Sequence, residues 1–189
     1  MMRRIGVLAL QGAFIEHEHA LSDLGAQAFE IRERGDLDRS FDGLVLPGGE
    51  STVQGKLLCD LGIMEPLRAL IKGGMPVLAT CAGLILLAGS IDGVQARWIA
   101  TLPSTVRRNA YGRQLGSFHA EADYEGIGVV PMTFIRAPCI VKAGKGAKVA
   151  ATVDGRIVAV ECGRQMALAF HPELDQDRRI HERFIALAA

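Results

Sequence analysis

The sequence predicts an α/β fold in which a mostly parallel sheet carries added antiparallel strands. Three observations predict it. In the first half, apolar runs bounded by turn residues alternate with amphipathic stretches, as parallel strands joined by crossover helices require. From Val94 onward the pieces become shorter and more β-like. No linker, repeat or charge block interrupts the 189 residues, so 1–189 read as one domain. A chain of this size removes roughly 70% of its extended surface from water without disulfides or structural metal.

IGVLAL (5–10) is uninterrupted and apolar, as a strand covered on both faces must be. A weaker amphipathic helix follows around Phe14, Leu21 and Leu24, and QAFEI (27–31) and GLVLP (43–47) read as the next strands. Ser51 is placed to cap a helix through Cys59 that Gly62 ends, because a serine hydroxyl accepts from a free amide of the first turn. Residues 65–72 make a second short helix with Gly73 as its left-handed end. PVLATCAGLILLA (76–88) reads as a buried strand, a sharp turn and a core-facing helix. The strongest hairpin signal is VAATV-DG-RIVAV (149–160), where Asp154-Gly155 suits a type I′ turn. QMALAF (165–170) is another buried strand, and Ile180, Phe184 and Leu187 share one face of a terminal helix.

Composition excludes several classes. With 21 basic and 21 acidic residues the net charge is +0, and nothing offers the concentrated basic face that nucleic acid or an anionic membrane needs. The longest uncharged run, 73–91, has 19 residues, but Pro76, Thr80, Ser90 and four glycines argue against a membrane span. The start, Met1-Met2-Arg3-Arg4 and an apolar run, imitates a signal peptide, yet it meets Gln11, Glu16 and His17 without a cleavage site. Cysteines 59, 81, 139 and 162 form no C-x-x-C pair, so reduced thiols in a cytoplasm are expected, with no metal.

Three segments carry chemistry. In ATCAG, Cys81 follows a strand and opens a helix between small residues, like a nucleophile elbow with sulfur for oxygen and Ala79 for the first glycine. The helix start favours thiolate, and the amide of Ala82 can meet an oxyanion. FHPEL (170–174) supplies a base, because Pro172 biases His171 toward extended geometry and turns His171 and Glu173 the same way. A Cys-His-Glu triad becomes possible. LPGGEST (46–52) also follows a strand, and Gly48 and Gly49 permit amides to turn outward, one of them completing an oxyanion hole. A P-loop is rejected, since Gly49 and Gly55 are six apart and Lys56 precedes Leu57. Sites in such sheets gather at the carboxyl ends of strands, where all three segments fall. Cys59, Cys139 and Cys162 read as structural. His17 and His19 suggest H-x-H metal binding but read as solvated helix surface, and His119 and His181 have no assigned partners.

Together LPGGEST, ATCAG and HPEL resemble the class I glutamine amidotransferases, the triad glutaminases, which implies a three-layer, flavodoxin-like fold. GVLALQGAF, RRNAYGRQ (107–114), FIRAP (134–138) and HPELDQDRRIHERF narrow the resemblance to the glutaminase subunits of pyridoxal 5′-phosphate synthases, over nearly the whole chain. RNAYGRQ discriminates most. The resemblance implies hydrolysis of L-glutamine to L-glutamate and ammonia, with Cys81 as nucleophile, His171 as general base and acid, and Glu173 orienting His171. It implies glutamine binding by Gly49, Glu50, Ser51, Arg108, Ile135 and Arg136, with the amides of Gly49 and Ala82 as oxyanion donors. It also implies a hetero-oligomer in which ammonia passes to a (β/α)₈-barrel synthase subunit, with Gln11 near that interface and no cofactor held by this chain. Two departures stand out, Ala79 before the elbow and SFH (117–119) where SFE is common. Two rivals remain open: a glutaminase serving another ammonia-using synthase, such as that making imidazole glycerol phosphate, and a non-catalytic flavodoxin-like cysteine protein.

Overall fold

The computed structural model describes residues 2–112 and 116–189. Its first half runs β1 (Arg4–Leu8), α1 (Phe14–Asp23), β2 (Gln27–Ile31), β3 (Gly43–Leu46), α2 (Ser51–Asp60), α3 (Met64–Lys72), β4 (Val77–Thr80) and α4 (Ala82–Leu87). Strands dominate the second half: β5 (Ala88–Ile91), β6 (Leu102–Arg107), β7 (Ser117–Tyr124), β8 (Gly128–Ile135), β9 (Cys139–Ala143), β10 (Lys148–Val153), β11 (Arg156–Cys162) and β12 (Gln165–Leu168). A 3₁₀ turn at Pro172–Leu174 and α5 (Arg179–Leu187) close the chain.

The strands order as β2-β1-β3-β4-β12-β11-β10-β7-β8. The first five are mutually parallel, in the order of a doubly wound, flavodoxin-like sheet. Beyond β12 the pairing turns antiparallel, while β5, β6 and β9 form a side branch joined to β11. The inner parallel strands β1, β3, β4 and β12 are almost wholly buried, as strands covered on both faces by helices must be, while the edge strand β2 is mostly half-buried. On one face α1 and α5 meet, and on the other α4 packs so tightly on β3 that a Cβ at Gly83 would lie 2.0 Å from the Leu46 carbonyl oxygen. No helix among the described residues is long and apolar enough to cross a membrane.

Local expectations hold where turn chemistry dictates them. Asp154 and Gly155 both have positive φ, 49° and 72°, as a type I′ hairpin between β10 and β11 requires. Two caps differ. Glu50, not Ser51, caps α2, its carboxylate accepting from the amides of Thr52 and Val53, because a side chain one residue earlier reaches two free donors at once. Gly73 is right-handed, and the positive φ of 96° falls on Gly74. The strands β5 to β9 escape individual prediction: β5 has only four residues, and the eight-residue β7 and β8 alternate more and less exposed positions instead of forming an apolar run.

Candidate active site

Parallel pairing brings the Cys81 and His171 segments together. β4 and β12 run side by side, with Thr80 opposite Leu168, so the chain leaves both strands at the same sheet edge. The Cys81 amide donates to the Leu168 carbonyl at 2.8 Å, and three residues beyond Leu168 stands His171, whose amide donates to the Thr133 carbonyl at 2.8 Å. Phe170 anchors this exit, fully buried against Phe134 of β8.

Cys81 sits at φ 47°, ψ −98°, a strained conformation for a side-chain-bearing residue that persists only where the surroundings impose it. Ala79 is buried within β4, paired with Ala167 and Leu46, so replacing the usual glycine there needs no unusual backbone. Cys81 is 7% exposed, lines one cleft with His171, and has its sulfur 3.9 Å from the Ile135 carbonyl oxygen. His171 Nδ1 meets Glu173 Oε1 at 2.6 Å. Burial by itself lowers the His171 pKa, but hydrogen bonds with Cys81 and Glu173 and the charge of both override it and raise the ring to about 10. Burial also opposes ionisation of Glu173, yet His17 and His171 hold its carboxyl below the usual range.

A cleft of about 360 Å³ opens over Cys81 and His171. The predicted residues Gln11, Gly49, Glu50, Ser51, Arg108, Ile135 and Arg136 all line it. Ala82 lies beneath the floor, 1% exposed, as the first residue of α4. Arg108 Nη1 donates to Thr52 Oγ1 at 3.1 Å, across the mouth of α2. Gln11 Oε1 accepts from the Glu50 amide at 2.7 Å, which ties the first-strand loop to the Gly48-Gly49 turn. Those two glycines do not adopt positive φ; what they supply is space. A Cβ at Gly48 would lie 2.2 Å from His171 Cε1, and one at Gly49 would lie 2.4 Å from Gln11 Oε1. Of RRNAYGRQ, Arg113 and Gln114 lie outside the described residues.

A sequence model of the SNO glutamine amidotransferase family matches residues 7–188. The chain belongs to that family. Among curated relatives of this glutamine amidotransferase, the pyridoxal 5′-phosphate synthase subunit PdxT of Desulfitobacterium hafniense (strain Y51) is 57% identical over 182 residues, 96% of this chain and 92% of that one. The protein of the same name from Methanocorpusculum labreanum is 56% identical over 186 residues, 98% of each chain. A solved structure titled as a glutamine amidotransferase superposes with a TM-score of 0.92 at 43% identity, covering 97% of this chain and 98% of that one. PurLQS from Thermotoga maritima, at 16% identity and a TM-score of 0.74 over the whole of both chains, shares the fold.

The histidines correct the sequence reading of this amidotransferase. His17 is not solvated surface: it is 0% exposed, on the α1 face that also buries Ala20 and Leu21. Positions 14, 17, 21 and 24 form one helical stripe, a signal that polarity at 17 obscured. His19 is exposed, so the H-x-H pair diverges. His181 is buried against His17, with 3.1 Å between its Nε2 and His17 Nδ1. His119 contacts Thr133 Oγ1 at 3.1 Å, and that hydroxyl donates to Asp175 at 3.0 Å, a side-chain link between β7, β8 and the segment after Glu173.

Proposed function

We propose that residues 1–189 act as one domain, the glutaminase subunit of a cytoplasmic pyridoxal 5′-phosphate synthase, hydrolysing L-glutamine to L-glutamate and ammonia. The observation that carries this reading is that Cys81 and His171 line one small cleft with Glu173 held 2.6 Å behind the His171 ring, in a chain 57% identical to a pyridoxal 5′-phosphate synthase subunit. With its pKa raised to about 10, the His171 ring already holds the proton it shares with Cys81, and the sulfur attacks the carboxamide carbon. The resulting oxyanion is met by the amides of Gly49 and Ala82. His171 then protonates the leaving nitrogen, the C–N bond breaks, and ammonia departs from a thioester. Water, deprotonated by His171, attacks the thioester carbon, the C–S bond breaks, and glutamate leaves with the ring protonated again.

Glu173 keeps Nδ1 of His171 protonated, so that Nε2 is the nitrogen that exchanges protons with sulfur and substrate. Gly49, Glu50, Ser51, Arg108, Ile135 and Arg136 bind glutamine. Two arginines at the cleft suit its α-carboxylate, because a guanidinium matches a carboxylate bidentately. The Glu50 carboxylate is committed to the α2 amides, so its main chain is the part that faces substrate. The partner is a (β/α)₈-barrel synthase subunit in a hetero-oligomer, and Gln11 lies where docking reaches the glycine turn. Ammonia passes to that subunit, and this chain itself needs no cofactor.

The test is glutamate release from glutamine by the purified chain, alone and with a pyridoxal 5′-phosphate synthase subunit, beside Cys81→Ala. Release should rise with the synthase and vanish in Cys81→Ala. Retained turnover in that variant would remove Cys81 as nucleophile, and silence under both conditions would overturn the glutaminase reading.

A further inference from the structure

Behind the triad, on the side away from the cleft, lies a fully buried polar cluster that the proposed chemistry does not use. His17 of α1 stands where three other elements converge. Its Nε2 is 3.2 Å from Thr80 Oγ1, the last residue of β4 before Cys81, and 3.3 Å from Glu173 Oε2. Its Nδ1 is 3.1 Å from His181 Nε2 of α5. The two rings are tilted at 56° with centroids 5.3 Å apart.

Proton bookkeeping selects one tautomer. Glu173 Oε1 is taken by His171, while Oε2 is buried and has no in-line hydrogen bond, only the His17 contact. A carboxylate oxygen in that position needs a donor, since leaving it bare forfeits its hydration without return. Thr80 can rotate its hydroxyl and accept at the same time. The proton of His17 therefore belongs on Nε2, shared between Thr80 Oγ1 and Glu173 Oε2 in a three-centre bond. Nδ1 must then accept, so His181 donates from Nε2, which leaves His181 Nδ1 as a lone pair. That atom has no partner, as this assignment requires.

We infer that His17, oriented by His181, is a positioning residue of the triad, a neutral donor that holds the second oxygen of Glu173 so that the first faces His171. This rests on the glutaminase reading. Neutrality has a physical cause: burial lowers the pKa of His17 and takes His181 to about 3, and a cationic pair in contact would repel. The charged and titratable groups facing His17 are Glu173 and His171 from the 171–174 segment, Glu16 from its own helix, and His181 from α5 with Arg178 behind it; β4 presents only the Thr80 hydroxyl.

The experiment compares His17→Leu, His17→Asn and His17→Gln in the glutaminase assay with the synthase subunit, beside wild type. The amide of Gln reaches the place of Nε2, whereas that of Asn reaches only the place of Nδ1. His17→Leu and His17→Asn should lose about tenfold or more in kcat with KM nearly unchanged. Without its donor, buried Glu173 becomes easier to protonate, so the acid limb of kcat should move to higher pH in both variants. His17→Gln should recover most of the rate and the wild-type limb. Should His17→Leu not fold, the contrast of Gln with Asn decides alone. Wild-type kcat and pH profile in His17→Leu, or equal behaviour of Gln and Asn, overturns the inference. Absence of glutamate release by wild type overturns the glutaminase reading instead.

Discussion

At the scale of single residues, the site is governed by how little space surrounds the His171 ring. Gly48 lies so close that any β-carbon would displace the imidazole or the turn. Gly48→Ala should therefore keep the fold, seen by circular dichroism, and lower kcat about 10²-fold, the usual cost of misplacing a reacting group by about 1 Å. Charge matters as much as space. Because Glu173 raises the His171 pKa, Glu173→Gln should bring the ring down from about 10, and the basic limb of the rate profile should move to lower pH. A profile unmoved in that variant would show that Glu173 is not coupled to the ring. The proposed triad is legible in the sequence because Cys81 and His171 each stand in a local frame, an elbow of small residues and a proline-fixed exit. His17 has no such frame, and its position matters only because Glu173, 156 residues later in the chain, ends up beside it.

Among elements, α2 and the β10–β11 hairpin illustrate two kinds of local control. Glu50 serves two free amides at the start of α2, so Glu50→Ala should cost about 1 kcal/mol in urea unfolding, beyond any effect on glutamine binding. In the hairpin, Gly155 holds φ 72°, and Gly155→Ala should cost a similar amount, about 1 kcal/mol, without touching kcat. A loss of activity with unchanged stability there would mean that the hairpin reaches the site. The hairpin is readable from Asp-Gly alone because a type I′ turn admits few residues. The capping role of Glu50 is not, because Ser51 is the better cap by type and only the backbone's exit angle from the glycine turn decides between them.

For the whole molecule, the buried histidines make stability depend on pH in two directions. His17 and His181 have folded-state pKa values below 6.5, so as pH falls past 6.5 the unfolded chain gains protons that the fold refuses, and stability drops. His171 acts oppositely: its folded pKa of about 10 means that its contribution is complete below 6.5 and lost as pH rises toward 10. Each group contributes a slope of up to about 1.4 kcal/mol per pH unit within its window. Urea unfolding should therefore show greatest stability near pH 6.5, and His181→Phe should flatten the fall between pH 6.5 and 5. An unchanged acid slope in that variant would mean that His181 is protonated in the fold.

By itself the sequence determined the class of sheet and the places where strands end in turns, and it pointed to Cys81, His171 and Glu173 as the candidate nucleophile, base and orienting carboxylate. Those follow from short-range rules: apolar runs, turn chemistry, and small residues around a strained cysteine. Only the tertiary structure decided which backbone amides and side chains surround these groups. The parallel registry of β4 with β12 brings Cys81 and His171 to one edge, and the meeting of α1 with α5 buries His17 beside Glu173. The physical reason is that contacts between residues far apart in the chain depend on how whole layers pack, and no local pattern encodes that packing.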